Sequence, residues 1–156
     1  MHLHLIAVGK RMPAWVTAGF EDYARRLPPP WALRLVEITP ADRASGRTAA
    51  ACMREEAKRI ERACPPDAHI VVLDERGKGW GSRQLSQRLQ RWSRDGRDLA
   101  FIIGGADGVD MAFKKRADEL WSLSPLTLPH ALARVVVAEQ IYRAWSLLSS
   151  HPYHRD

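Results

Sequence analysis

The 156 residues suffice for one domain that buries roughly two thirds of its unfolded surface, so residues 1–156 are read as a single domain needing no disulfide staple. Its two cysteines, Cys52 and Cys64, form no CxxC pair, which favours packing thiols of a reducing compartment over metal or redox chemistry. The net charge of +6, carried by 19 Arg and five Lys against 18 acidic residues, favours a polyanionic partner that Arg can hold bidentately, though such an excess also serves ordinary solubility.

Taken in chain order, Leu3–Val8 has the apolar run of a strand. Residues 1–9 are too short and too polar for a leader, and no apolar run approaches the ~20 residues of a membrane span. The expected location is the cytoplasm, away from any membrane. Pro13–Leu27 reads as a helix with proline in its first turn and Trp15, Val16, Phe20, Tyr23 and Leu27 at helical spacing. Pro28–Pro30 is a stiff connector. Leu33–Ile38 is a short strand. Thr39–Asp42 has the look of a capping box, but Gly46 argues for a later helix, over Thr48–Ala63.

His69–Asp74 is apolar through its centre, the pattern of a strand buried on both faces of a parallel sheet. Gly77–Gly81 reads as a loop, Ser82–Trp92 as a helix, Asp95-Gly96 as a turn and Leu99–Ile103 as a second buried strand. That strand runs into Gly104-Gly105-Ala106-Asp107-Gly108. Asp110–Leu120 is expected to be a helix capped by Asp110, and Ala131–Leu148 a helix that is apolar almost all round. Strand and helix patterns in alternation predict an α/β class with a mainly parallel sheet flanked by helices.

In such sheets ligands sit at loops leaving the carboxyl ends of strands. Three segments meet that description: those after Leu73 and Ile103, and Ser122–Leu128. The glycine loop fits neither GxGxxG nor GxxxxGK[ST], which argues against a dinucleotide or a nucleoside triphosphate. It reads as a tight strand-to-helix turn or as backbone brought close to a flat ligand or another segment. In Trp121–His130, Pro125 and Pro129 each remove a backbone donor while Ser122, Ser124 and Thr127 add hydroxyls. The segment is equally an edge strand protected by proline or a loop lined to meet an adenine-like ligand. Helix 131–148 calls for burial on most sides, which predicts a homodimer with this helix in its interface. Glu139 and Arg143 either pair with each other or serve a site. The tail 149–156, with His151, Tyr153, His154 and Arg155, is either a frayed end or a dock for a base and a phosphate.

Five stretches, "AVGKRMPAWV", "LDERGKGW", "WSRDGRD", "FIIGGADG" and "WSLSPLTLPHALARVVVAEQIYRAWSLLSSHPYHR", resemble the bacterial large-subunit pseudouridine-N3 methyltransferases, minimal members of the SPOUT class. The resemblance spans essentially the whole chain. It implies an α/β fold whose C-terminal segment threads a trefoil knot, which no periodicity predicts. It implies S-adenosyl-L-methionine as cofactor, with contacts carried onto Leu73, Gly104, Leu123, Ser124, Pro125, Leu126, Thr127 and Leu128; Pro125 has no N–H to donate. It implies a homodimer with shared sites, acting on a pseudouridine of 23S rRNA in the assembled ribosome. The other readings kept open are a noncatalytic ribosome- or RNA-binding factor and a tRNA-directed methyltransferase.

Methyl transfer from a sulfonium to a ring nitrogen requires in-line placement and a proton acceptor, and no metal. The expected acceptor is His154, with Arg155 on a phosphate or on the base's anionic carbonyl; His130 is the alternative. Arg143, His151 and Tyr153 are expected on the substrate side.

Overall fold

In the computed structural model, which describes residues 1–44 and 46–154, β1 (Leu3–Val8), α1 (Ala14–Ala24), β2 (Leu33–Ile38), α2 (Ala49–Ala63), β3 (His69–Gly79), α3 (Ser82–Asp95), β4 (Leu99–Ile103), α4 (Met111–Arg116), β5 (Glu119–Ser122) and α5 (His130–Leu148) follow one another along the chain. The strands form one parallel sheet in the order β2-β1-β4-β3-β5. Alternation along each strand splits the core in two. Leu3, Leu5 and Ala7 of β1, with Leu99, Phe101 and Ile103 of β4, meet Phe20 of α1, Leu85, Leu89 and Trp92 of α3, and Val137 and Ile141 of α5. Ile6 and Val8, with Ala100 and Ile102, meet Ala57 and Ile60 of α2 and Phe113 of α4. All five residues of β4 are buried, as its unbroken apolar run requires.

Helix ends follow their local chemistry. Thr48 accepts the Ala51 N–H at 3.1 Å, so α2 starts after Gly46 rather than at Thr39. Asp110 caps α4 through the Phe113 N–H at 3.3 Å. Gly96 closes α3 with φ 78°. Cys52 and Cys64 are free thiols, and burial raises the Cys64 pKa to about 11, which suits packing and not chemistry.

Helix α1 ends at Ala24 and not Leu27, and α3 runs on to Asp95 past Trp92, while two segments change kind from the sequence expectation. The helix predicted over 110–120 ends at Arg116, and Glu119–Ser122 joins the sheet instead. Asp118 explains the switch: its N–H donates to the Ile70 carbonyl at 2.9 Å and its carboxylate accepts the Ile70 N–H at 2.8 Å, which captures the chain at the edge of β3. The burial of Trp121 against Trp80, with centroids 5.1 Å apart, then outweighs helical continuation. The loop predicted at 77–81 is strand as far as Gly79. Leu73 and Lys78 both lie opposite Trp121, so residues 74–77 bulge out between them.

Helix α5 packs on α1 and α3 of its own chain, and Ser86 Oγ donates to the Ala144 carbonyl at 3.0 Å. Much of its all-round apolarity is thus used within one chain; Leu132, Val135, Val136 and Trp145 stay half-buried at its flanks. Arg134, 1% exposed, is the largest fully buried side chain and donates to Glu37 at 2.8 Å and to the Gly9 carbonyl at 2.9 Å. It ties α5 to the carboxyl ends of β1 and β2. Arg134→Met keeps most of the stem's packing but orphans that carbonyl, so thermal denaturation is expected to show a loss of about 2 kcal/mol and a midpoint lower by roughly 5 °C.

Candidate active site

The strand order places β4, β3 and β5 side by side, so the segments leaving their carboxyl ends converge. Between them lies a cavity of about 750 Å³, within the range of small-molecule sites. Its walls are Leu73–Arg76 at the β3 bulge, Ile103–Gly104 and Ala106–Val109 at the end of β4 and in the glycine loop, and Trp121–Ser124 and Leu126–Pro129 at the end of β5 and after it. Met53 of α2, Met111 and Lys114 of α4, and His130 and Ala133 of α5 complete it. Leu73, Gly104, Leu123, Ser124, Leu126, Thr127 and Leu128 therefore border one space, although Leu73 and Leu128 stand 55 positions apart. Pro125 is exposed and is not among the lining residues. His130 borders the cavity from the first turn of α5.

The glycine loop closes on itself. The Gly108 N–H donates to the Gly105 carbonyl at 3.0 Å, and a Cβ on Gly104 would lie 2.7 Å from the Gly108 carbonyl carbon and from Val109 Cγ2. The tight-turn reading accounts for Gly104, and the same turn forms one cavity wall. Gly105 backs onto buried Glu56, whose Oε1 would lie 3.0 Å from an added Cβ. Glu56 accepts from Arg43 at 2.5 and 3.3 Å, and Arg43 also reaches Asp107 at 3.1 Å, so one guanidinium clips the segment before α2 to the glycine loop.

The donor-poor stretch after β5 meets its polar needs partly from within. Ser122 Oγ donates to the Ser124 carbonyl at 3.0 Å, and Ser124 Oγ accepts the Leu126 N–H at 2.9 Å, a serine turn that holds Leu126 out, 73% exposed. Thr127 Oγ1 donates to Glu75 at 3.2 Å, linking this loop to the β3 bulge. Beside it, Asp74 accepts from Lys114 Nζ at 2.9 Å and from the Arg76 N–H at 2.8 Å. Desolvation pushes its pKa up, but the Lys114 and Arg76 hydrogen bonds outweigh that and hold it below the usual carboxylate range. The cavity wall thus carries a fixed Asp74–Lys114 ion pair. The sequence signal for Asp74 was its position at the end of a buried strand; nothing local marked Lys114, Arg43 or Glu56.

The tail residues gather elsewhere. Tyr153 Oη donates to Glu139 at 2.8 Å, which also holds Arg143 at 2.6 Å, and the Tyr153 ring packs on Tyr142 with centroids 4.5 Å apart. Burial and the Glu139 carboxylate raise the Tyr153 pKa. His151 lies against Tyr142 and Trp145. His154 Nδ1 is 3.1 Å from Ser146 Oγ, whose single proton goes to the Arg143 carbonyl at 2.7 Å. With both contacts made, the imidazole donates from Nδ1, which leaves Nε2 as an acceptor. Arg143 and Glu139 do pair, and within the same cluster as His151, Tyr153 and His154. Arg155 lies outside the described residues.

This cluster does not meet its own chain's cavity. Ser146 is sixteen residues along α5 from His130, about 24 Å at the helical rise. Among the described residues, no group of three or more His, Cys, Asp or Glu is gathered that would hold a metal, and no helix is long and apolar enough to cross a membrane.

The family model described as predicted SPOUT methyltransferase matches residues 1–154. Proteins named ribosomal RNA large subunit methyltransferase H from Paraburkholderia phymatum and Paraburkholderia xenovorans are 54% and 55% identical, each aligned over 99% of both chains. The protein of that name from Burkholderia thailandensis is 52% identical over the same share. A solved structure of a methylase family protein from Neisseria gonorrhoeae matches 98% of this chain and 95% of its own, with TM-score 0.54 and 13% identity, a likeness of fold.

Proposed function

This chain belongs to the SPOUT methyltransferase family, and on that premise we propose that it methylates N3 of a pseudouridine in 23S rRNA of the assembled ribosome, with S-adenosyl-L-methionine as donor. The trefoil threading of the C-terminal segment goes with that family. The observation that carries the reading is the cavity itself, built by three neighbouring strand ends from residues scattered over the chain.

The lining suits the donor. Leu73, Ile103, Leu123 and Leu128 offer apolar walls to an adenine ring, the two loops offer main-chain polar atoms, and Asp74, though paired with Lys114, keeps a carboxylate in the wall. The volume admits a molecule of that size. When bound, S-adenosylmethionine supplies an activated methyl group on sulfur. The work of the chain is then to hold the base in line, which contributes up to ~7–11 kcal/mol in favourable cases, and to accept its proton, worth ~10²–10⁴ in rate.

For the proton, His154 is assigned, since its Nδ1 contact with Ser146 leaves Nε2 free to accept. Arg143, Tyr153 and His151 lie around it as a surface for the base and its phosphate, with Arg155 next in the chain. Because His151, Tyr153 and His154 border no part of their own chain's cavity, and His154 is held at Ser146, about 24 Å along α5 from His130, the reading requires a homodimer in which the tail of a second copy reaches the cavity mouth. Exposed Trp15 on α1, and Met111 and Leu126 at the mouth, are apolar surface for that copy to cover.

Two measurements test the reading. Calorimetry is expected to give saturable binding of S-adenosylmethionine, at one site per chain; no binding would favour a noncatalytic RNA-binding factor. Label transfer from methyl-labelled donor is expected with whole ribosomes, and only weakly with free 23S rRNA or with tRNA. Transfer chiefly to tRNA would overturn the substrate assignment.

A further inference from the structure

We infer that the outward face of α2 is a contact surface for the phosphate backbone of the RNA substrate, an assignment that rests on the ribosomal RNA reading above. A shallow groove of about 450 Å³ lies there, lined by Arg47, Arg54, Lys58, Arg59 and Arg62, with Glu55 as its one carboxylate. Five cations around one acid make this a local excess, not an even sharing of the chain's net charge of +6. The groove is apart from the donor cavity and shares no lining residue with it.

The spacing distinguishes it from an ordinary solvated helix face. Arg54, Lys58 and Arg62 recur every four residues, a ladder of like charges roughly 12 Å long on one side of the helix. A solvated face normally alternates signs so that residues four apart attract. Here they repel, which weakens α2 in isolation and is relieved by a polyanion lying along it. None of the three makes a hydrogen bond or ion pair among the described residues. Glu55, by contrast, is engaged from both sides, by Arg47 at 2.8 Å and Arg59 at 3.0 Å, and Arg59 also donates to the Thr39 carbonyl at 2.7 Å. Two guanidiniums are thereby held in place beside Arg54 and Arg62, with Lys58 coupled to Glu55 only through space, a composition suited to phosphate recognition.

Position ties the groove to the reaction. Met53, the residue before Arg54, lines the donor cavity. The same helix therefore borders the cavity with one side and presents the ladder with another. An RNA strand with its target base at the cavity mouth has its flanking backbone within reach of α2.

The test uses the triple variant Arg54→Gln/Lys58→Gln/Arg62→Gln, chosen because glutamine keeps helix propensity. Its binding to purified 70S ribosomes is measured against salt from 50 to 200 mM, beside wild type and a control with the same charge removed elsewhere, Arg34→Gln/Arg91→Gln/Arg94→Gln. Loss of three phosphate contacts is expected to reduce the magnitude of the log–log salt slope by roughly 2–3 and to weaken binding at 50 mM salt by about tenfold or more. Affinity for S-adenosylmethionine is expected to stay unchanged, and the thermal midpoint to hold or rise, since like-charge repulsion has been removed. An unchanged slope and affinity, or an equal loss in the control, overturns the inference while leaving the methyltransferase reading intact. A wild type that neither binds nor methylates ribosomes overturns that reading, and this inference with it.

Discussion

Mixing two inactive variants, Gly104→Val and His154→Ala, is expected to restore about a quarter of the wild-type methylation activity. The first is defective in its cavity, because a Cβ at Gly104 already meets the Gly108 main chain and Val109 at 2.7 Å. The second keeps its cavity but lacks the proposed proton acceptor, and alone is expected to bind the donor normally while its single-turnover rate falls ~10²–10⁴-fold. If each site joins the cavity of one copy to the tail of the other, half of the randomly mixed dimers are mixed. Each of those carries one site that is whole and one that is doubly defective, hence about a quarter of the sites. If each tail served its own cavity, mixing would restore nothing. The roughly 24 Å along α5 between His130 and Ser146 is the reason for expecting recovery. Should Gly104→Val fail to fold, Thr127→Trp, which fills the cavity from its rim, replaces it in the same mixture. No recovery with either cavity variant, in mixtures shown to contain mixed dimers, sinks the shared site and leaves His130, at the chain's own cavity, as the acceptor to test.

Gly77→Ala is expected to be the most damaging single methyl in the chain. An added Cβ would lie 2.6 Å from the Leu120 carbonyl carbon and 2.7 Å from the Leu120 carbonyl oxygen and the Trp121 nitrogen. These are main-chain atoms of β5, so no side-chain rotation relieves the contact. Strand β5 must move away from the β3 bulge, at the cost of the Trp80–Trp121 stack and the burial of Trp121. Overpacking typically costs 1–3 kcal/mol, and a shifted edge strand adds to it, so about 3 kcal/mol is expected in denaturant unfolding. The loop 123–129 springs from the displaced strand, so calorimetry is also expected to show donor affinity lowered by at least about tenfold. Gly79→Ala is the companion measurement: nothing lies within 4 Å of its Cβ position, and it is expected to change both quantities little. If the two glycines behave alike, the close approach of β3 and β5 is not what positions the loop.

How far the site could be read before the fold was known differs from residue to residue. The apolar runs ending at Leu73 and Ile103 read as parallel strands, and the rule that such sheets bind at strand ends pointed to the segments after them, while Leu73 and Gly104 themselves came from the family resemblance. The segment 123–128 stood out through its prolines and hydroxyls, and the fold spends part of those hydroxyls inside the loop. Pro125 belonged to the same stretch but faces away, because the serine turn projects that corner outward. Nothing in the sequence singled out Lys114. Its pairing with Asp74 spans forty positions and leaves no local trace.

Local pattern was enough to place most elements, since burying one face imposes a period of 2 or 3.6 that neighbouring residues carry among themselves. Strands β1 and β2 and the span of α2 to within a residue follow from such local patterns, and β4 and α5 from apolar runs bounded by polar breaks, as does the parallel α/β class. Tertiary structure alone decided the order β2-β1-β4-β3-β5, the strand at Glu119–Ser122 where helical spacing pointed the other way, and the distance between the tail and the cavity. Those depend on contacts between residues far apart in the chain, such as Asp118 with Ile70 and Trp121 with Trp80, whose energies outweigh local propensity and are written in no single stretch.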